Sequence, residues 1–482
     1  MKPQHFYMNI KPWRVLYLYL IIGTILLLLT YIIPENGLKI DENKTIRWIS
    51  AQALLPTEKS IQKLETASQV NIDSIIKPEV IAPKIADTIV IADTLITRNN
   101  FIFKSRDINT LSIFFKSLKE ISLKDKPIHI LHYGDSQLDG DRITRYLRDN
   151  YQKKYGGVGC GFISGLDPVK QLSSVYIESK EDWKINWVYD EKRSNSNTPY
   201  GLIGSSVENI EGESPSIIFR HWETKLSKTE SYTTAKVFAS SNKPNQVIRC
   251  LADKALYQTD TLNASQEINI LKYQFPYPLH HLEFQFNSKE TPTIHGFLLD
   301  GEKGVQVDNL ALRGQLFTRF LDRDSTLVTS MAKETDIQLV ILQFGDNLLP
   351  TPANEDFNFY TQLIKNQIEH IRKFIPNVPI IVVGVGDSAE RVEGVLQTRA
   401  SVAPIMKAQK LAALESNALY FDLFTAMGGS GSIIKWADEE PKRAVTDYTH
   451  FNQRGGKEVA NLIFTAIENE YQFWLNQQNS ER

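Results

Sequence analysis

The chain has 482 residues, 42% of them hydrophobic, which is enough for one large domain together with a smaller one. Its 54 basic and 56 acidic residues give a formal net charge of -2, so no general electrostatic attraction favours nucleic acid as a partner. The two cysteines, Cys160 and Cys250, indicate neither a zinc site nor a disulfide framework, and a single disulfide between them stays open.

A charge-free run from Val15 to Ile33 is the strongest signal near the N-terminus. Its roughly 19 residues can cross the ~30 Å hydrocarbon core of a bilayer as a helix. Lys2, Lys11 and Arg14 precede the run, so the positive-inside rule places residues 1–14 in the cytoplasm. These features predict a single-pass inner-membrane anchor at 15–33, with the rest of the chain in the periplasm or extracytoplasmic space. The alternative is a cleaved signal peptide, although the run ends without the small-residue pattern of a cleavage site.

Residues 34–100 show no sustained helical period. They include a repetitive run at 81–93, in which Ile-Ala-Asp recurs. Such a composition predicts a linker that holds the following domain away from the bilayer.

From residue 101 onward, helical and strand patterns alternate. Apolar residues recur at helical spacing in Leu111 to Leu118, Ile143 to Tyr151 and Phe357 to Ile371. Apolar runs typical of buried strands occupy Ile128 to Leu131, Gln338 to Leu342 and Pro379 to Val385. This alternation favours an α/β fold with a largely parallel sheet and right-handed crossovers.

The helical period disappears between residues 170 and 299. Short β-rich runs alternate there with polar turns, as in Trp183 to Tyr189, Ser216 to Arg220 and Leu282 to Phe286. This pattern predicts an antiparallel β-sandwich inserted into the α/β domain. Such an insertion could be a structural lid or a carbohydrate-binding module, and the sequence leaves both open.

Four residues with complementary chemistry stand at the ends of predicted elements. Ser136 follows the first core strand, where the turn into a helix projects its hydroxyl from the sheet edge and the helix N-terminus favours developing negative charge. Asn347 follows the strand Gln338 to Leu342. Asp447 and His450 share one short turn before the last helix, where the carboxylate can orient the imidazole. A nucleophile, a base, an orienting carboxylate and an oxyanion donor are the groups that ester hydrolysis by a serine requires.

In this order, three motifs resemble the conserved blocks of the SGNH/GDSL hydrolases: Tyr133-Gly134-Asp135-Ser136-Gln137, Gly345-Asp346-Asn347 and Asp447-Tyr448-Thr449-His450-Phe451. The resemblance covers roughly residues 107–470. It implies a flavodoxin-like three-layer α/β/α fold, with hydrolase segments at 101–169 and 300–475.

The resemblance also implies the roles of the site residues. Ser136, His450 and Asp447 would be catalytic, and the oxyanion hole would comprise Ser136, Gly314 and Asn347. Asp135 and Gly345 would support them.

The tripeptide Gly-Asp-Ser occurs a second time, at Ser388. Block order argues against Ser388, because the nucleophile of these hydrolases follows the first strand and precedes the Asn block. The Asn block itself departs from the family pattern, since Leu348 follows Asn347 where an Asp is usual.

Within the superfamily, the chain resembles bacterial peptidoglycan O-acetylesterases and related carbohydrate esterases. The inserted β-region, the glycine-rich segment at 155–162 and the segment at 421–429 carry this resemblance. It implies an acylated glycan or cell-wall polysaccharide as the substrate. A polysaccharide O-acetyltransferase and a catalytically inactive glycan-binding protein are the alternatives. No cofactor is predicted, and no metal, because the nine histidines fall in no cluster of ligand spacing.

Overall fold

The computed structural model describes residues 38–41, 44–46, 94–166, 174–188, 199–220, 231–241, 243, 246–264, 267–286, 291–316 and 323–480. The predicted membrane anchor, Val15 to Ile33, lies outside these residues. Within the described ranges, no helix has both the length and the hydropathy that a membrane span requires.

The described residues form twenty β-strands and eight α-helices. The strands are β1 Leu38–Asp41, β2 Lys44–Ile46, β3 Leu95–Arg98, β4 Phe101–Lys104, β5 Ile128–Gly134, β6 Gly161–Ile163, β7 Tyr176–Trp187, β8 Ser205–Arg220, β9 Thr234–Ser240, β10 Val247–Ala252, β11 Ala255–Thr261, β12 Asn269–Gln274, β13 His281–Phe286, β14 Thr293–Asp300, β15 Val305–Ala311, β16 Asp336–Gln343, β17 Ile380–Val383, β18 Ala389–Val392, β19 Val395–Thr398 and β20 Leu419–Phe421. The helices are α1 Ser112–Lys119, α2 Thr144–Tyr155, α3 Ser325–Lys333, α4 Asn358–Phe374, α5 Val402–Glu415, α6 Leu423–Met427, α7 Ser432–Asp438 and α8 Gln453–Ser480.

The chain divides into two units, residues 1–90 and 91–482. In the first unit the described residues form the antiparallel pair of β1 and β2. All other elements belong to the second unit, which carries every predicted site residue.

A seven-stranded sheet organises the second unit, in the order β15-β5-β16-β17-β20-β4-β3. The first five strands are parallel. Strand β5 is buried along its whole length, as expected for a central parallel strand covered on both faces. One face packs against α3, α4 and α5, and the other packs against α1, α2 and α8. The predicted three-layer α/β/α arrangement with a parallel sheet is therefore confirmed.

One edge strand, β3, lies within the linker predicted over 34–100 and corrects its C-terminal end. Strands β3 and β4 extend the sheet, with β4 antiparallel to β20 and β3 antiparallel to β4. The turn between them consists of Asn99 and Asn100, both at positive φ, which is the conformation of a two-residue type I′ hairpin. The linker prediction therefore extends too far, because a four-residue edge strand is too short to establish a period in the sequence.

Strands β6 to β14 form the insertion between β5 and β15, and all nine are connected in one antiparallel sheet. The antiparallel character matches the prediction, but the two separate sheets of a sandwich are not found among the described strands. The reason is β8, which is 16 residues long. Its C-terminal part pairs with β13, and Val207 in its N-terminal part pairs with β14, so one strand joins both halves.

The two cysteines lie within the apolar core of the insertion. Cys160 and Cys250 are both buried and free, so the alternative of a disulfide between them is not realised. Burial raises the pKa of each thiol to about 12, which keeps both protonated at neutral pH.

A buried histidine on β5 joins the central sheet to the insertion. The Nδ1 atom of His129 lies 2.8 Å from Asp308 Oδ2 on β15, and its Nε2 atom lies 3.0 Å from Asp300 Oδ2 at the end of β14. Burial alone would lower the pKa of His129, but the two carboxylates outweigh it and raise this pKa from 6.5 to about 10. His129 is therefore an imidazolium at neutral pH, held between two carboxylates.

We expect His129→Leu to lower the free energy of unfolding by about 3 to 5 kcal/mol near pH 7, because it leaves two buried carboxylates without their cation. A raised pKa stabilises the folded state below the unfolded value of 6.5, and this contribution is lost as the pH rises towards about 10. Urea denaturation between pH 6 and 10 checks both effects. The exposed His280→Leu serves as the control, with a change within about 0.5 kcal/mol. If His129→Leu kept the stability of the unchanged protein across this range, the ion cluster would have no net effect.

Candidate active site

The predicted site residues gather at the carboxyl edge of the parallel strands. Ser136 follows β5, Gly314 follows β15 and Asn347 follows β16, and these three strands are neighbours in the sheet. Parallel strands end at the same edge, where open α/β sheets bind their ligands. Ser136 opens a short 3-10 segment, Ser136–Asp141, and the side chain of Asp135 caps it by accepting the amide of Gln137.

The structure brings Ser136, His450 and Asp447 into one hydrogen-bonded chain. Ser136 Oγ lies 2.9 Å from His450 Nε2, and His450 Nδ1 lies 2.8 Å from Asp447 Oδ2. The other carboxylate oxygen of Asp447 accepts the backbone amides of Thr449 and His450, each at 3.0 Å. Tyr448, between them, has a φ of 54°, a left-handed conformation that is rare for a bulky residue. Strain of this kind is concentrated at functional sites.

The electrostatics of this chain suit a general base. Partial burial would raise the pKa of Asp447, but the hydrogen bonds from His450 and Thr449 outweigh it and hold this pKa below its ordinary value. Asp447 is thus ionised at neutral pH and accepts a proton-bearing Nδ1, which leaves Nε2 of a neutral imidazole free to accept the proton of Ser136. The His450 side chain is 35% exposed, so a substrate can approach it.

Gly314 and Asn347 lie on the exposed side of the site. Asn347 Nδ2 donates to the carbonyl of Gln315 at 3.1 Å, which brings its amide to the loop that contains Gly314. The amide nitrogen carries two hydrogens, so one remains for a ligand. Gly314 has a φ of 72° and has open space where a Cβ would stand.

Asp135 and Gly345 connect the turn of Ser136 to the loop of Asn347. The buried carboxylate of Asp135 accepts the amides of Gly345 and Asp346, each at 3.1 Å. Burial and the nearby carboxylate of Asp346 raise the pKa of Asp135 well above its usual range, although three backbone amides oppose this. Gly345 has a φ of 126°, and a Cβ there would come within 2.6 Å of Val385.

The second serine candidate, Ser388, is buried next to the loop that carries His450. Its side chain is 1% exposed, and its hydroxyl lies 2.8 Å from Thr449 Oγ1, next to His450. The following amide, of Ala389, donates to the carbonyl of Tyr448. Ser388 therefore packs against the His450 loop and does not face the opening in which Ser136 lies.

Sequence reasoning did not single out Gln137, although this residue lies inside the first motif. Its side-chain amide donates to Asp346 and to the carbonyl of Thr449, and accepts the amide of Phe451. All three partners are more than 200 positions away in the chain. Contacts of this range leave no periodic signal in the sequence.

The described residues contain no group of three or more His, Cys, Asp or Glu side chains that could hold a metal ion.

Comparison with known proteins supports the architecture. The sequence matches no family model and no curated protein. Among solved structures, the chain is similar to one described as "Peptidoglycan O-acetylesterase in action, 5 min", with a TM-score of 0.59, 19% identity, and coverage of 75% of this chain and 96% of that chain. At 19% identity this likeness shows a shared fold, and it agrees with the α/β/α fold that the motif resemblance implies.

Two further solved structures are similar at lower scores. One is a family two carbohydrate esterase from Cellvibrio japonicus, with a TM-score of 0.24, 10% identity, and coverage of 62% of this chain and 99% of that chain. The other is the salicylyl-acyltransferase SsfX3 from a tetracycline biosynthetic pathway, with a TM-score of 0.27, 11% identity, and coverage of 63% and 96%.

Proposed function

We propose that this protein is a serine esterase that removes O-acetyl groups from peptidoglycan or another envelope polysaccharide. The observation that carries the proposal is the hydrogen-bonded chain from Ser136 through His450 to Asp447 at the carboxyl edge of the sheet. This arrangement of nucleophile, base and orienting carboxylate is the one that activates serine for acyl transfer on several unrelated folds.

In the first step, Ser136 Oγ bonds to the ester carbonyl carbon while its proton passes to His450 Nε2. The Ser136 and Gly314 amides and the Asn347 side chain would donate to the oxyanion that forms. Collapse of this intermediate breaks the bond to the sugar oxygen, which takes the proton from His450 and leaves acetyl on Ser136. Water then attacks the acetyl-enzyme with His450 as the base, releasing acetate and restoring the serine.

Two observations favour an acetylated glycan as the substrate: the fold of the chain and the exposure of its site. The similar structure at a TM-score of 0.59 is that of a peptidoglycan O-acetylesterase, and 96% of its chain is covered. An acetyl group is small, and the site is open to solvent at His450, so a large glycan can present its ester without entering a deep pocket.

Residues 15–33 add a proposed location. Anchored by this segment, the enzyme would act in the periplasm or extracytoplasmic space, where envelope polysaccharides are found. The basic flank and the charge-free run of the sequence support this placement. Fractionation of cells tests it, and a soluble product beginning near residue 34 would contradict it.

Acetate release from isolated peptidoglycan tests the proposed reaction. We expect the full-length protein to release acetate from O-acetylated material and to release none from the same material after chemical de-O-acetylation, because the treated material no longer carries the acetyl ester that the proposed enzyme cleaves. The Ser136→Ala variant provides the blank. Absence of acetate release from every acetylated glycan and from a chromogenic acetyl ester would contradict an esterase.

The same acyl-enzyme could pass its acetyl group to a sugar hydroxyl, which would make the protein an O-acetyltransferase. Incubation with an acetyl donor and oligosaccharide acceptors separates the two reactions. An esterase yields free acetate, whereas a transferase yields acetylated oligosaccharide.

A further inference from the structure

Gln137 follows Ser136 directly, and its side chain is 3% exposed. Its backbone is fixed, because the amide nitrogen donates to Asp135 Oδ1 at 3.1 Å. The side chain then crosses to two other segments of the site. Its Nε2 donates to Asp346 Oδ2 and, at 2.9 Å, to the carbonyl of Thr449, and its Oε1 accepts the amide of Phe451 at 3.3 Å.

The partners of Gln137 in the C-terminal segment are the residues on either side of His450. The Thr449 carbonyl and the Phe451 amide flank the backbone of His450. The two bonds therefore fix the position and the orientation of this backbone relative to the turn of Ser136. The bond between Asp447 and His450 is local and sets only the orientation of the ring within its own loop. Gln137 therefore links the turn of Ser136 directly to the backbone on either side of His450.

We propose that Gln137 is a positioning residue that holds His450 in register with Ser136. The inference rests on the proposed esterase function, since it concerns the geometry of the same proton transfer. The amide is uniquely suited to this place, because two acceptors, Asp346 and Thr449, face its nitrogen and one donor, Phe451, faces its oxygen. A carboxylate of the same length accepts from Phe451 but donates neither of the other two bonds, and a hydrocarbon makes none of the three.

The hydrogen bond from Gln137 to Asp346 also has an electrostatic effect. Limited access to water raises the pKa of Asp346, and the hydrogen bond from Gln137 opposes this rise. Gln137 therefore favours the ionised form of Asp346, whose charge interacts favourably with that of a protonated His450. The pKa of Asp346 nevertheless stays above its ordinary value, so the role of Gln137 rests on its two bonds to the backbone around His450.

Two substitutions of similar length test the proposal. Gln137→Met removes every polar contact while keeping the volume, and Gln137→Glu keeps the acceptor for Phe451 but loses both donated bonds. We expect kcat for a chromogenic acetyl ester to fall about 100-fold in each, as expected for a misplacement of about 1 Å, while KM changes by less than about threefold. Gln152→Met is the matched control, since Gln152 is also buried and donates to a backbone carbonyl, that of Gly159, away from the site.

A crystal structure of Gln137→Met provides a readout that does not depend on activity. The 2.9 Å separation of Ser136 Oγ from His450 Nε2 should lengthen beyond about 3.5 Å. If folded Gln137→Met or Gln137→Glu kept kcat within threefold of the unchanged protein, or if the separation stayed at 2.9 Å, the proposal would be overturned. An unchanged protein without esterase activity would refute the proposed function, and the separation in the variant would still decide the role of Gln137. Loss of folding in Gln137→Met leaves Gln137→Glu, which is closer in shape, to decide it.

Discussion

Replacement of Ser136 by alanine should lower the turnover of acetyl esters by several orders of magnitude while the protein stays folded, because it removes the atom that forms the acyl-enzyme. The fold should tolerate the change, since Ser136 is only partly buried and its hydroxyl is hydrogen-bonded to His450, which belongs to the same site. Steady-state kinetics and circular dichroism check the two halves of this expectation. Labelling by a fluorophosphonate should be lost in parallel.

Ser388→Ala is the informative comparison, because both serines follow the same Gly-Asp pair. Ser388 is buried and bonded to Thr449, so its loss should loosen the His450 loop and reduce turnover by no more than about tenfold, the effect of one lost hydrogen bond. Retention of activity in Ser136→Ala together with its loss in Ser388→Ala would reverse the assignment of the nucleophile.

His450→Ala should remove most of the rate, because no other imidazole lies at hydrogen-bonding distance from Ser136 among the described residues. Asp447→Asn should keep the fold and cost between about 10²- and 10⁴-fold in kcat, since an amide neither orients the productive tautomer nor stabilises the imidazolium. Asp447 is 46% exposed, so water screens part of its charge and places the effect nearer the lower figure.

Measurement of kcat for both variants on one acetyl ester checks these magnitudes. A rate unaffected by His450→Ala would contradict the serine mechanism as a whole. A normal rate in Asp447→Asn alone would leave Ser136 and His450 as a dyad and transfer the orienting role to another group.

The sequence alone determined the order of the helices and strands, and the strand ends at which the candidate catalytic residues lie. Buried runs such as that of β5 predict central strands because a parallel sheet covered on both faces excludes polar side chains, apart from paired ones such as His129. The contact between Asp447 and His450 was also predictable, because two residues three positions apart on one turn cannot separate far. Ser136 and Asn347 were placed at one edge by the rule that parallel strands end together.

Only the tertiary structure decided which distant groups meet. Ser136 and His450 are 314 positions apart, and Gln137 and Asp346 are 209 apart, so no local period records either contact. The same holds for the insertion, where alternating residues specify antiparallel strands but not whether β8 joins them into one sheet. A periodic pattern specifies which face of an element is buried. The partner of that face is chosen by packing and by the pairing of buried polar groups, and both depend on the assembled chain.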